Sequence, residues 1–210
     1  MSSSESVVVE ISDEERHLLL DVAEASIDQT LRGEPSGDAR RNDGRRAEFR
    51  FPLSSEDVPP ALRDRLATFV TLRIGGDLRG CMGSLEAIEP LVENVARNAI
   101  AAAFRDPRFS PLTSAEFDLI DIHLSILSRP EPIEFADESE LLSRVRPGID
   151  GLILIEGDRR GTLLPAVWEQ LSDPCEFVST LKRKAGLASD HWSDTLRVLR
   201  YTARSLAREQ

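Results

Sequence analysis

Ala67-Thr-Phe-Val-Thr-Leu-Arg-Ile74, then Gly75-Gly76-Asp77, then Leu78-Arg-Gly-Cys-Met82 is the stretch whose reading decides the fold. The first segment is rich in β-branched and aromatic residues, the middle is a glycine turn, and the last resumes an extended pattern. That succession predicts a β-hairpin. Upstream, Ser12-Asp-Glu-Glu15 has the spacing of a capping box, and Leu19, Val22, Ala23, Ser26, Ile27 and Leu31 follow at helical intervals. A helix over 13–31 is therefore expected. Residues 32–47 carry Gly, Pro, Asp and Arg without periodicity and read as an exposed loop. Residues 1–11 read as a flexible N-terminus, and 207–210 as a C-terminal tail.

Downstream of the hairpin, Pro90 opens an apolar-striped helix through Leu91, Val95, Ala99, Ala102 and Ala103. It must stop before Asp106-Pro107, because the residue before a proline is pushed out of helical space. Thr113-Ser-Ala-Glu116 is a second capping box, and Ile120-Asp-Ile-His-Leu-Ser-Ile126 alternates as a strand with its isoleucines and Leu124 inward. A short helix is expected over 137–145. Gly151–Ile155, a turn over 157–161 and Thr162–Leu164 form a second strand–turn–strand unit. Asp173-Pro174-Cys175-Glu176 starts a helix that Gly186 ends, with Phe177 and Leu181 as a buried pair one turn apart. Over 195–206 the arginines recur at helical spacing while Leu199, Tyr201 and Ala203 alternate as in a strand, and both readings stay open. Local hairpins interleaved with helices predict an α+β fold with an antiparallel-rich sheet. No internal repeat is found.

The chain has 210 residues, 40% hydrophobic and 30% charged, which suits one globular domain, spanning 12–206, and excludes a disordered chain. Apolar runs are too short to span a bilayer, and the start lacks the basic and apolar regions of a secretory signal. A cytoplasmic protein is expected. Lys+Arg total 26 against 37 for Asp+Glu, a net charge of −11. Residues 182–210 carry seven basic and three acidic side chains, leaving −15 on the rest. Such an acidic body repels phosphates, so nucleic acid is not expected as a partner.

Chemistry concentrates in Leu78–Leu85. Cys81 sits between Gly80 and Met82-Gly83, with the Arg79 guanidinium two residues before it. Glycines admit close backbone approach, and a nearby cation favours the thiolate, so Cys81 and Arg79 form one candidate catalytic pair, with Gly80 and Gly83 as binding positions. The same cysteine also reads as a small buried apolar residue. Arg105, Asp106 and Arg108 could hold an anion through bidentate guanidinium contacts, or pair among themselves. His123, beside Asp121 and Ser125 on the polar side of its strand, is a candidate general base. No His or Cys has companions at metal-ligand spacing, and no dinucleotide, Walker or nucleophile-elbow motif occurs. No metal or cofactor is expected.

Leu-Arg-Gly-Cys-Met-Gly at 78–83 closely resembles the Leu-Arg-Gly-Cys-Ile-Gly signature of the AMMECR-one domain family, also called system protein A of the AmmeMemoRadiSam group. The likeness continues through Ala102–Phe109, Leu124–Ile133, Gly151–Leu154, Gly161–Pro165, Lys184–Leu187 and Trp192. It covers residues 15–206 in order, and Met82 for Ile conserves volume. The resemblance implies a larger and a smaller lobe with a cleft between them, and the signature block beside that cleft. It implies association with Memo-like and radical-SAM proteins, although the chain lacks the closely spaced cysteines of a radical-SAM cluster. Two functions follow: an enzyme using the Cys81/Arg79 site on a small anionic substrate, or a non-catalytic module binding a protein or ligand through the same cleft.

Overall fold

The glycine turn builds the first hairpin. In the computed structural model, which describes residues 10–33 and 58–208, β1 (Thr68–Ile74) pairs antiparallel with β2 (Asp77–Gly83). Gly75 and Gly76 have φ of 58° and 89°, the left-handed backbone that both central residues of a type I′ turn need. The sequence-predicted loop over 32–47 lies almost wholly outside the described residues.

Contacts divide the described residues into two compact units, one of residues 10–126 and 204–208, the other of residues 127–203. The first unit holds α1 (Asp13–Leu31), α2 (Leu91–Phe104), α3 (Ser114–Phe117) and all but one end residue of β3 (Ile120–Leu127) and of β8 (Ala203–Ala207). Its sheet runs β2-β1-β3-β8, so β2 is an edge. Helix α1 starts at the predicted box: Ser12 Oγ accepts the Glu15 N–H, and the Glu15 carboxylate accepts the Ser12 N–H. Val70, Leu72, Leu124 and Ile126 from the strands meet Leu19, Ala23 and Ile27 of α1 and Val95 and Ala99 of α2 in one buried cluster. Ile120 and Ile122 are half-buried against it. A polar knot ties α2 to β1, because Asn94 Oδ1 accepts from Thr68 Oγ1 at 2.6 Å and Asn98 Nδ2 donates to the Thr68 carbonyl at 3.1 Å. Such a knot must be fully satisfied to be tolerated in a core.

The second unit carries β4 (Glu131–Pro132), α4 (Glu138–Arg144), β5 (Gly151–Glu156), β6 (Arg159–Leu163), α5 (Pro174–Lys184) and β7 (Arg197–Tyr201), with sheet order β4-β7-β5-β6. Its neighbouring strands all pair antiparallel. The architecture is therefore mixed α+β. Helix α5 has Asp173 as N-cap and Gly186 beyond its end at φ 75°, and Phe177 and Leu181 are both fully buried. Trp168 stacks on Phe177 with ring centroids 3.8 Å apart.

One boundary differs from the sequence reading, and one open choice is decided. The β5–β6 turn is tighter, since β6 already starts at Arg159; Gly157 at φ 56° permits a two-residue turn. The segment over 195–206 resolves into strands, because Val198 and Leu199 pair with Leu154 and Ile153, and that pairing outweighs the helical spacing of the arginines. Among the described residues no helix is long and apolar enough to cross a membrane.

Candidate functional site

Gly80 fixes where the signature block lies. A Cβ on it would stand 2.2 Å from the Ala102 carbonyl oxygen of α2, so β2 presses its backbone directly onto that helix. Alternation then turns Cys81 to the opposite face, in register with Thr71 of β1 and His123 of β3. The three side chains form a row across three strands. Thr71 Oγ1 lies 3.3 Å from Cys81 Sγ and donates to it. His123 is two strand spacings from Cys81, about 10 Å, beyond reach of a direct Cys–His pair. Cys81 itself is half-buried.

The edge of β2 is closed by side chains. Asp106, 4% exposed, accepts the Cys81 N–H on Oδ2 at 2.8 Å. Arg108 grips the same carboxylate through Nε at 3.0 Å and Nη2 at 2.7 Å, and its backbone N–H donates to Oδ1 at 3.1 Å. Hydrogen bonding from Arg108 foremost, with the Cys81 N–H adding to it against the penalty of burial, holds the Asp106 carboxyl well below the usual carboxylate range. Asp106 in turn raises the Arg108 pKa.

A second clamp sits beside the first. The register slips between Leu72 and Arg73, leaving Arg79 as an extra residue in β2, and such a bulge re-aims a side chain. The Arg79 guanidinium donates to Glu116 from Nε at 2.9 Å and Nη2 at 3.1 Å, and Nη2 also reaches the Ser110 carbonyl at 2.9 Å. Glu116 simultaneously accepts the Thr113 N–H and hydroxyl, both at 2.9 Å, as the capping box of α3. The Arg79 hydrogen bond first, then those from Thr113, push the Glu116 carboxyl down to about 2. Phe109 lies against both guanidiniums, 5.8 Å from that of Arg79 and 5.5 Å from that of Arg108. Arg79 Nη1 is buried without a hydrogen-bond partner.

The fold thus brings Arg79, Gly80, Cys81, Asp106 and Arg108 together. Arg105 stands exposed at the C-cap of α2. A Cβ on Gly83 would lie 2.4 Å from the Phe69 ring, which covers that position. Sequence reading gave Glu116 only its capping role and missed Thr71 and Phe109. Glu116 and Arg79 are 37 residues apart, and no local pattern announces such a pairing; Thr71 is recoverable from hairpin register alone. Among the described residues no group of three or more His, Cys, Asp or Glu side chains could hold a metal ion.

Comparison with known proteins matches a family model described as AMMECR1 to residues 38–206. A protein of Methanothermobacter thermautotrophicus is 37% identical over 195 residues, covering 92% of this chain and 94% of its own. Protein MJ0810 of Methanocaldococcus jannaschii is 40% identical over 152 residues, covering 70% of this chain and 76% of its own. The crystal structure of an uncharacterized protein of Pyrococcus horikoshii, PH0010, superposes with a TM-score of 0.74 at 34% identity, covering 93% of this chain and 92% of that one.

Proposed function

The chain belongs to the AMMECR1 family, and from that premise we propose that the Cys81 block is the recognition surface of a non-catalytic module that binds a partner protein. One observation carries this reading. Two of the three guanidiniums offered for catalysis or anion binding are already engaged by carboxylates, Arg79 by Glu116 and Arg108 by Asp106. A guanidinium with its fork filled by a carboxylate has little left to offer an anionic substrate. The nearest hydrogen-bonding neighbour of the Cys81 thiol is the Thr71 hydroxyl, which is no base at neutral pH. What these clamps do supply is a stiff edge strand that presents Cys81, Thr71 and Phe69 in a fixed array, the arrangement a protein interface requires. Memo-like and radical-SAM proteins, which the family resemblance suggests, are the partners to assay first.

Thiol chemistry separates this module from the rival enzyme. Cys175 is exposed and serves as an internal standard. The module reading expects Cys81 to react with iodoacetamide at pH 7 no faster than Cys175, by mass-resolved labelling kinetics. It also expects Cys81→Ser to leave the urea midpoint nearly unchanged. Labelling of Cys81 about tenfold faster than Cys175, lost in Arg79→Met, would instead establish an activated thiol of the kind nucleophilic catalysis uses.

A further inference from the structure

Independently of that reading, we propose that residues 188–195, between α5 and β7, form a strap that opens and closes over Lys182. All of its parts lie in the second unit. Lys182, in the last turn of α5, is fully buried. Its Nζ donates to Glu138 of α4 at 2.6 Å and lies 5.7 Å from the centre of the Trp192 ring. Trp192 in turn packs on Phe135, with ring centroids 5.6 Å apart. The Glu138 side chain is 43% exposed, so the ammonium sits close beneath the surface, with Trp192 of the strap as its cover. An ammonium has three N–H groups, and Glu138 is its one hydrogen-bond partner among the described residues.

Side chains fasten the strap. Its backbone hydrogen bonds are local: the His191 N–H donates to the Ala188 carbonyl at 3.1 Å, and the Leu196 N–H closes the far end on the Ser193 carbonyl at 3.3 Å. The latch is Glu156 at the end of β5, whose Oε1 accepts from Ser193 Oγ at 2.6 Å and from Thr195 Oγ1 at 3.0 Å. That latch is incomplete. Glu156 Oε2 and His191 Nε2 are both buried without a hydrogen-bond partner, and His191 Nε2 stands 3.6 Å from Glu156 Oε1, too far to bond. Polar groups buried unsatisfied oppose the state that buries them. Opening gives these two atoms, and the spare N–H groups of Lys182, to water. Closing recovers two hydroxyl bonds and the Trp192 contact. A short segment with opposed terms of this kind and few backbone bonds opens locally, at a free energy well below that of global unfolding. The strap therefore gates the Lys182 amine.

The test is amine labelling of the full chain with acetic anhydride at pH 7, resolved by mass after cleavage at Arg183. The chain has two lysines, and Lys184, which is exposed, serves as the internal standard. Lys182 is expected to label about a hundredfold more slowly than Lys184, against about 10⁴-fold or more if it were reached only by global unfolding. Below the unfolding transition its rate relative to Lys184 should stay nearly flat in urea, because a local opening exposes little surface. The double variant Ser193→Ala/Thr195→Val removes both latch bonds and should raise the Lys182 rate about tenfold. Asp194→Asn, at an exposed position of the same segment, should leave it unchanged. A Lys182 rate that climbs with the full urea slope of unfolding would overturn the proposal, and so would labelling as fast as Lys184 or a rate indifferent to loss of the latch. Should the double variant fail to fold, the urea dependence of the unaltered chain decides alone.

Discussion

The two units solve one packing problem twice and dress the solution differently. In each, the second strand of a hairpin is a sheet edge, and a glycine in that strand lets a helix press on its backbone. In β2 the glycine is Gly80, beneath the Ala102 carbonyl of α2; in β6 it is Gly161, whose Cβ would lie 2.7 Å from the Ala185 nitrogen and 2.8 Å from the Leu181 carbonyl. The edge of β2 is then locked by two carboxylate–guanidinium clamps. At the start of β6, Arg159 donates to the Gly186 carbonyl. Helix-on-glycine contact is thus a general device of this chain for stability. The two clamps lie on the signature strand, and that asymmetry supports the proposal that β2 is the recognition edge.

The largest expected effect breaks the shared device. Gly80→Ala puts a methyl group 2.2 Å from a backbone oxygen that no rotamer change can move away, and should cost about 3 kcal/mol or more. Gly161→Ala meets backbone at 2.7 Å, a clash that a small helix shift relieves, and should cost about 1–3 kcal/mol. Urea midpoints at unchanged slope check both. If Gly161→Ala proves the more costly, the tighter helix–strand contact is in the second unit and the comparison inverts.

A smaller effect isolates the clamps. Glu116 titrates ordinarily near 4.5 but is held at about 2 in the fold. A depressed folded value means that its contribution is fully present above pH 4.5 and is lost as pH falls toward 2. The Glu116 side chain is 33% exposed, so solvent screening reduces the contribution to about 1 kcal/mol. Arg79→Met should flatten this part of the acid limb, measured as urea midpoint from pH 6 to pH 2. An unchanged limb would mean that the Thr113 hydrogen bonds, and not Arg79, hold the carboxylate down.

Much of the fold was legible because its signals are local. Ser12 and Glu15, Asp173 and Gly186, and Gly75-Gly76 each announce a cap or turn within a few residues, and each is where the sequence placed it. The alternation in β3 likewise gave the face of His123. The site was legible only in part, since its residues were found but their partners were not. Arg79 was read beside the thiol because strict alternation puts residues two apart on one face. The bulge between Leu72 and Arg73 breaks that rule, and a bulge leaves no composition signal at an arginine. Asp106 and Arg108 pair two residues apart, an alternative visible in the sequence, but the Cys81 N–H as a third member of that pair is a long-range contact over 25 residues.

The smallest expected effect sharpens the contrast between the two edges. Arg159 is exposed in β6, and its guanidinium reaches the carbonyl of Gly186, just past the end of α5. A cation at a helix C-terminus interacts favourably with the unsatisfied carbonyls there, but at an exposed position water replaces it readily. Arg159→Ala should therefore change stability by no more than about 0.5 kcal/mol. It should also leave the labelling of Cys81 untouched, since it touches neither clamp. A loss above about 1 kcal/mol would show that the β6 edge depends on its arginine as β2 depends on its clamps. The clamps would then be one more form of edge protection, and the case for β2 as the recognition strand would lose its structural basis.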